Sequence, residues 1–166
     1  MLKHFFSLFL LSGLTATTVF SQSSPVATAS DLSLIKEYQA VHKNVANDDF
    51  ESAKKSAKSF KEAAQKWIEL NGSTHTQTKN VFLMGQGGEA IEVSKTEEEV
   101  REGFAIASKG VVEFIRKDVP LQMVYQLFFC SMATGYAYWV QPKTETIANP
   151  YFGLAMPTCG SKKKWN

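Results

Sequence analysis

One apolar seam constrains the fold of this chain more than any other feature of its sequence. Six residues recur at alternating intervals of three and four positions: Phe50, Ala53, Ala57, Phe60, Ala64 and Trp67. An α-helix has about 3.6 residues per turn, so this spacing puts all six on one face of a single helix of about twenty residues. A helix with one apolar face is stable only when that face is covered, so the seam predicts a helical bundle.

Two further segments show the same periodicity and can cover the seam. In the first, Leu34, Tyr38, Val41 and Val45 recur at steps of four, three and four, and Asp31 is the predicted N-cap. Only the short polar break at residues 47–49 separates this helix from the seam helix, which ends at residues 71–72. Such a short connection requires the two helices to be antiparallel.

The other periodic segment begins with a capping box formed by Thr96 and Glu99. Its apolar residues continue at steps of four and three as far as Phe114, and the helix is predicted to end near Asp118, before a proline. Residues 73–94 are less regular. Residues 81–84 predict at least one helical turn, and the glycine-rich residues 85–88 are interpreted as a turn that interrupts it.

The sequence changes in character after Pro120. Residues 122–129 and 136–140 are dense in aromatic and β-favouring side chains, which predicts two short strands forming a hairpin. Residues 149–153 are predicted to form a fixed loop. The predicted fold is therefore mainly α: an antiparallel helical bundle with a small C-terminal β-hairpin and loop cap.

The first 21 residues are typical of a secretory signal peptide. Lys3 and His4 precede an apolar run over residues 5–14, and small residues lead to a predicted cleavage site before Gln22. The run is about ten residues long, too short for a bilayer span; an uncleaved anchor is the alternative. We therefore predict a signal peptide at 1–21, a flexible lead-in at 22–30, one domain at 31–160 and a basic tail at 161–166, located in the periplasm or outside the cell.

Charge and motifs narrow the function further. Removal of Lys3 takes the balance of basic and acidic residues from 18 against 16 to 17 against 16, which gives no reason to bind nucleic acid. Residues 162–164 are interpreted as a solvated basic end, and no membrane-length apolar run follows the signal. His42 is expected to be a packing residue, His75 lies in a polar loop, and no catalytic motif is present, so we predict that the protein is not an enzyme.

Four sulfur-containing residues form two groups near the C-terminus: Cys130 with Met132, and Met156 with Cys159. Thiolate and thioether are soft ligands that favour Cu(I) over magnesium or calcium. The same spacing also permits a Cys130–Cys159 disulfide, which would close a loop of about thirty residues and contribute roughly 3.5 kcal/mol. Free buried thiols are the third possibility. The spacing alone leaves all three open.

Several C-terminal motifs occur together in one order. They are Val124-Tyr125, Cys130-Ser131-Met132-Ala133, Ala137-Tyr138-Trp139, Ile147-Ala148-Asn149-Pro150-Tyr151-Phe152-Gly153 and Met156-Pro157-Thr158-Cys159-Gly160. Together they resemble an uncharacterised bacterial envelope domain family, whose members occur alone behind signal peptides or fused to the C-terminus of Cus-type copper and silver efflux adaptors. Upstream, the acidic break and the alanine-rich helix over residues 48–64, with Arg101, Phe104 and Ser108, agree with the same family.

This resemblance implies an exported domain that handles a heavy metal. Together with the two sulfur groups it favours Cu(I), with Cys130, Met132, Met156 and Cys159 as the predicted ligands. It also implies an envelope efflux protein or metallochaperone as partner. The family usually has Cys-Pro-Met and Met-Leu-Thr-Cys-Gly at these two motifs. In this chain Ser131 stands in place of the proline and Pro157 in place of the leucine. The alternative function is a non-catalytic interaction domain, stapled by a Cys130–Cys159 disulfide, that binds an envelope protein.

Overall fold

The structure is a computed structural model that describes residues 27–165. The predicted signal peptide and residues 22–26 of the predicted lead-in lie outside the described residues. The described chain is mainly helical, with a small antiparallel sheet near its C-terminus. The elements in order are α1 (Ala29–Ala46), α2 (Phe50–Asn71), α3 (Thr78–Val93), α4 (Glu97–Arg116), α5 (Val119–Val124), β1 (Tyr125–Phe129), β2 (Tyr138–Pro142), a 3-10 turn (Gly153–Ala155) and β3 (Ser161–Lys163).

Helices α1 and α2 form the antiparallel pair that the short break predicts. At one end Asn44 Nδ2 donates to Ser56 Oγ at 3.2 Å, and at the other Trp67 Nε1 donates to Asp31 Oδ1 at 2.7 Å. The seam predicted on α2 faces the core, with Phe60 fully buried and Trp67 only 2% exposed. The apolar spacing was therefore a sound guide to both helices.

The predicted start of α1 was wrong. Thr28 is the N-cap: its Oγ1 accepts from the Asp31 N–H at 3.2 Å, and its own N–H donates to Asp31 Oδ2 at 2.8 Å. Asp31 is thus the third residue of the first turn and not the cap. Its carboxylate accepts from the Thr28 N–H, which completes a capping box, and from Trp67 Nε1. Residues 28–30, assigned to the flexible lead-in, belong to the cap and the helix.

The glycine-rich segment was wrongly predicted as a turn, since α3 runs through it without interruption. The glycines serve close helix packing instead. A Cβ on Gly87 would lie 2.6 Å from the Ala107 Cα of α4, and one on Gly88 would lie 3.1 Å from the Ala57 carbonyl of α2. Only residues without a side chain let α3 approach both neighbours so closely, and this favours a helix despite the weak helix propensity of glycine.

The predicted hairpin is confirmed, with Leu127 opposite Val140 in the antiparallel pairing of β1 and β2. Two details differ. The first strand starts at Tyr125, three residues later than predicted, because residues 122–124 complete α5, whose N-cap Asp118 accepts from the Leu121 N–H at 2.9 Å. The start of the predicted basic tail forms β3, which pairs with β1 and gives the order β2-β1-β3. No helix formed by residues 27–165 has the length and apolar character that a bilayer span needs.

Candidate dithiol site

The sheet brings the two cysteines together. Cys130 follows β1 directly and Cys159 lies just before β3, and these two strands pair with Phe129 opposite Ser161. The Sγ atoms of Cys130 and Cys159 lie 3.3 Å apart, and both are free thiols. Cys130 is fully buried, whereas Cys159 is partly exposed. The strand that the sequence analysis missed is therefore the element that positions the site.

The two thiols have different acidities. Burial pushes the pKa of Cys130 up, but hydrogen bonding from the Cys159 thiol, the Met132 and Ala133 backbone N–H groups and the Asn149 side chain outweighs it, so this pKa lies below its usual range. The pKa of Cys159 is raised, chiefly because its thiol hydrogen-bonds to Cys130. The two sulfurs share one hydrogen bond, so the acidity of each thiol depends on the other.

The two predicted methionine ligands lie beside the thiols along the chain, in different surroundings. Met132 is 59% exposed and lines an open cleft of about 1030 Å³ between α4 and the loop that follows β1. Met156 is partly buried, and its carbonyl accepts from the Cys159 N–H at 3.1 Å. The structure thus places the sulfurs of the two cysteines in contact, while thioether ligation by the methionines stays a prediction.

Asn149 fixes the loop that carries Cys159. It is fully buried, and its Nδ2 donates to the Cys159 carbonyl at 2.6 Å while its N–H donates to the Pro157 carbonyl at 2.8 Å. Its Oδ1 accepts from the Tyr151 N–H at 2.8 Å. The sequence analysis placed Asn149 in a fixed loop but not in the site. The available signal was the sequence Asn149-Pro150-Tyr151, because an asparagine side chain often accepts a hydrogen bond from the backbone two residues further on.

A second anchor comes from the break between α1 and α2. Asp48 has a φ of 57°, and its carboxylate accepts from Arg101 Nη2 at 2.5 Å and from the Leu154 N–H at 2.9 Å. Arg101 Nη1 also donates to the Pro150 carbonyl at 2.5 Å. Gly153 has a φ of 52°, and a Cβ there would lie 2.5 Å from Asp48 Cγ, so only glycine fits beside this carboxylate.

A third anchor is His42 of α1, which is packed in the core as expected. Its Nε2 lies 2.9 Å from the Ala148 carbonyl, so the neutral ring carries its proton on Nε2 and donates to the residue before Asn149. Burial lowers the pKa of His42 to about 4. The imidazole therefore stays uncharged at neutral pH and acts as a fixed donor to the loop rather than as a base for the thiols.

Comparisons with protein-family profiles, with curated proteins and with solved structures find no match. Function must therefore be argued from the residues of the site. Among residues 27–165 there is no cluster of three or more His, Cys, Asp or Glu side chains able to hold a metal ion. The chemistry available is that of two sulfur atoms in contact, with thioethers nearby in the chain.

Proposed function

We propose that this domain is exported to the cell envelope and binds Cu(I) there through Cys130 and Cys159. The single observation that carries the proposal is the 3.3 Å contact between two free thiols, one of them in surroundings that lower its pKa. Thiolate is the form that binds metal, and soft sulfur ligands select Cu(I). The partial exposure of Cys159 gives the ion a route to the buried sulfur.

The composition of the site supports a soft ion over zinc. Structural zinc sites take four nitrogen, sulfur or oxygen ligands in a closed tetrahedron. The described residues offer only two cysteines and no cluster of three His, Cys, Asp or Glu side chains. The further ligands we propose are thioethers, and thiolate with thioether is a soft set that favours Cu(I).

The methionines are proposed as the additional ligands. Methionine has an unbranched side chain with three rotatable bonds, so the exposed Met132, two residues after Cys130, can change its side-chain conformation without disturbing the core. Met156 is tied to Cys159 through its carbonyl. An exposed thioether beside a buried thiolate is also suited to passing the ion to an envelope efflux protein or metallochaperone. The resemblance to the domain fused to Cus-type adaptors supports such a partner.

The test is an anaerobic Cu(I) titration of the reduced protein against a competing chelator. We expect Cys130→Ser and Cys159→Ser to abolish tight binding. Met132→Leu and Met156→Leu should weaken it with little effect on folding, because the exchange roughly conserves volume. Met123→Leu is the matched control: Met123 is 71% exposed on α5, and its replacement should leave affinity unchanged. Equal affinity in wild type and both serine variants would contradict the proposal.

One observation favours a second candidate. Sulfurs already in contact are also placed for a structural disulfide, which would staple β1 to the segment before β3. In that case the protein is an interaction domain, and reduction alone should lower its stability by roughly 3.5 kcal/mol. Thiol counts on the isolated protein separate the two: two blocked thiols, with no Cu(I) binding after reduction, would leave the interaction domain as the function.

A further inference from the structure

We infer that the Cys130–Cys159 pair also undergoes thiol–disulfide exchange with external low-molecular-weight or peptide thiols, and that every mixed disulfide forms on Cys159. This activity does not depend on metal binding, since it requires only the sulfur pair and its surroundings. It assigns different roles to two residues that the sequence cannot distinguish.

Accessibility sets the order of the reaction. The rate of exchange depends on which sulfur the incoming thiolate can reach. Cys130 is fully buried and belongs to the hydrophobic core, whereas Cys159 is partly exposed and its neighbours Thr158 and Gly160 are exposed. An external sulfur therefore meets Cys159 first, because Cys130 has no exposed surface.

Cys130 is the leaving sulfur in the first step. In the oxidised pair, an external thiolate attacks Cys159 Sγ, the bond between the two cysteine sulfurs breaks, and its electron pair stays on Cys130. Cys130 then takes up a proton and remains buried next to Cys159, as in the reduced pair, where the two sulfurs lie 3.3 Å apart.

A second external thiolate then attacks the external sulfur of the mixed disulfide. This step releases the external disulfide, and Cys159 leaves as a thiolate and takes up a proton. Two external thiols are thereby oxidised to one disulfide, and the protein disulfide is reduced to two thiols. In the reverse direction the accessible Cys159 attacks an external disulfide and releases one external thiol, and Cys130 then displaces the second external thiol from Cys159.

The decisive experiment uses glutathione disulfide as the probe on the two single-cysteine variants of the exported protein, followed by mass spectrometry. Cys130→Ser, which keeps Cys159, should acquire one glutathione adduct. Cys159→Ser, which keeps the buried Cys130, should react more slowly by a factor of about ten or greater. In denaturant the two variants should react at similar rates, which shows that burial causes the difference.

A second measurement needs no variant. The oxidised wild-type protein is mixed with excess reduced glutathione, quenched with acid before the reaction is complete, and digested. The adduct should be found on the peptide that contains Cys159. Adducts on Cys130, or equal rates for the two folded single-cysteine variants, would overturn the inference. Both results are independent of Cu(I) affinity, so this inference and the proposed function fail separately.

Discussion

Phe60 in the helical part and Asn149 in the C-terminal cap are both fully buried, but they stabilise the molecule in different ways. Phe60 packs in an apolar core shared by α1, α2, α3 and α4, where its contribution is the removal of apolar surface from water. Asn149 contributes through directed hydrogen bonds to Cys159, Pro157 and Tyr151. Burial of apolar surface is a non-directional contribution, whereas hydrogen bonds depend on the direction between donor and acceptor and so fix the geometry of the loop.

The difference shows how the fold divides its tasks. The helical part supplies stability, and three of its residues bond to residues 148–154 of the cap: His42, Asp48 and Arg101. The cap holds both thiols of the candidate site. Changes in the helical part should therefore alter global stability, whereas changes in the anchors should alter the cysteines before the fold is lost.

The largest effect is expected for Phe60→Ala in the centre of the core. A fully buried phenylalanine replaced by alanine leaves a cavity, and we expect the free energy of unfolding to fall by roughly 3–5 kcal/mol. Urea unfolding measures this. Phe82→Ala on α3 is the control, because Phe82 is 58% exposed and its loss should change stability by about 0.5 kcal/mol or less. Similar losses for both would mean that the predicted seam is not the core.

Acid should act where the two parts meet, at His42. Its pKa is about 4 in the folded protein against an ordinary value of 6.5, so the unfolded chain takes up the proton first as pH falls. The stability from the neutral ring is fully present above pH 6.5 and is lost as pH falls towards 4, in total about 3 kcal/mol.

Unfolding free energies at several pH values test this in two variants. His42→Gln keeps a side-chain donor but cannot titrate, so its stability should fall less between pH 6.5 and 4 than that of wild type. His75→Gln, at an exposed loop position, is measured beside it as the control for loss of a histidine. Parallel pH curves for wild type and His42→Gln would show that His42 is not the acid-sensitive contact.

The same contrast explains what could be predicted from the sequence. The seam on α2 and the Thr96 capping box were predicted because both are local patterns. Each depends on residues three or four positions apart in the chain. Strand β3 and the Asp48 anchor were missed, because each depends on residues far away in the chain: Ser161 pairs with Phe129, and Asp48 bonds to Leu154. Such contacts leave no periodic trace in a single sequence.

The glycines of α3 allow a sharper test of the helical part. A Cβ on Gly87 would lie within 2.6 Å of the Ala107 backbone, whereas one on Gly85 would lie 3.6 Å from the Ala64 Cβ, an ordinary contact. Gly87→Ala should therefore destabilise the protein by about 1–3 kcal/mol through overpacking. Gly85→Ala should stabilise it by up to about 1 kcal/mol, since alanine is the better helix former. Thermal unfolding of both variants gives the signs, and a stabilised Gly87→Ala variant would contradict close packing at Gly87.

The smallest effect on stability, and the most specific for the cap, is expected for Asp48→Asn. Asparagine suits the positive φ of this position and has the same shape, but it loses the charge that Arg101 and the Leu154 N–H share. We expect a loss of about 1 kcal/mol, since the ion pair is partly exposed. The loop should loosen all the same, so alkylation of Cys159 by iodoacetamide under native conditions should become faster.

The control removes a carboxylate from a nearby position that does not contact the cap. Glu51→Gln breaks an ion pair with Lys54 in the first turn of α2, where the glutamate side chain is 81% exposed. Neither stability nor the alkylation rate of Cys159 should change measurably, because exposed pairs of this kind contribute little. If Asp48→Asn lowers stability without changing alkylation, then Asn149 and His42 hold the loop without help from Asp48. The cap would then depend less on the helical part than its hydrogen bonds indicate.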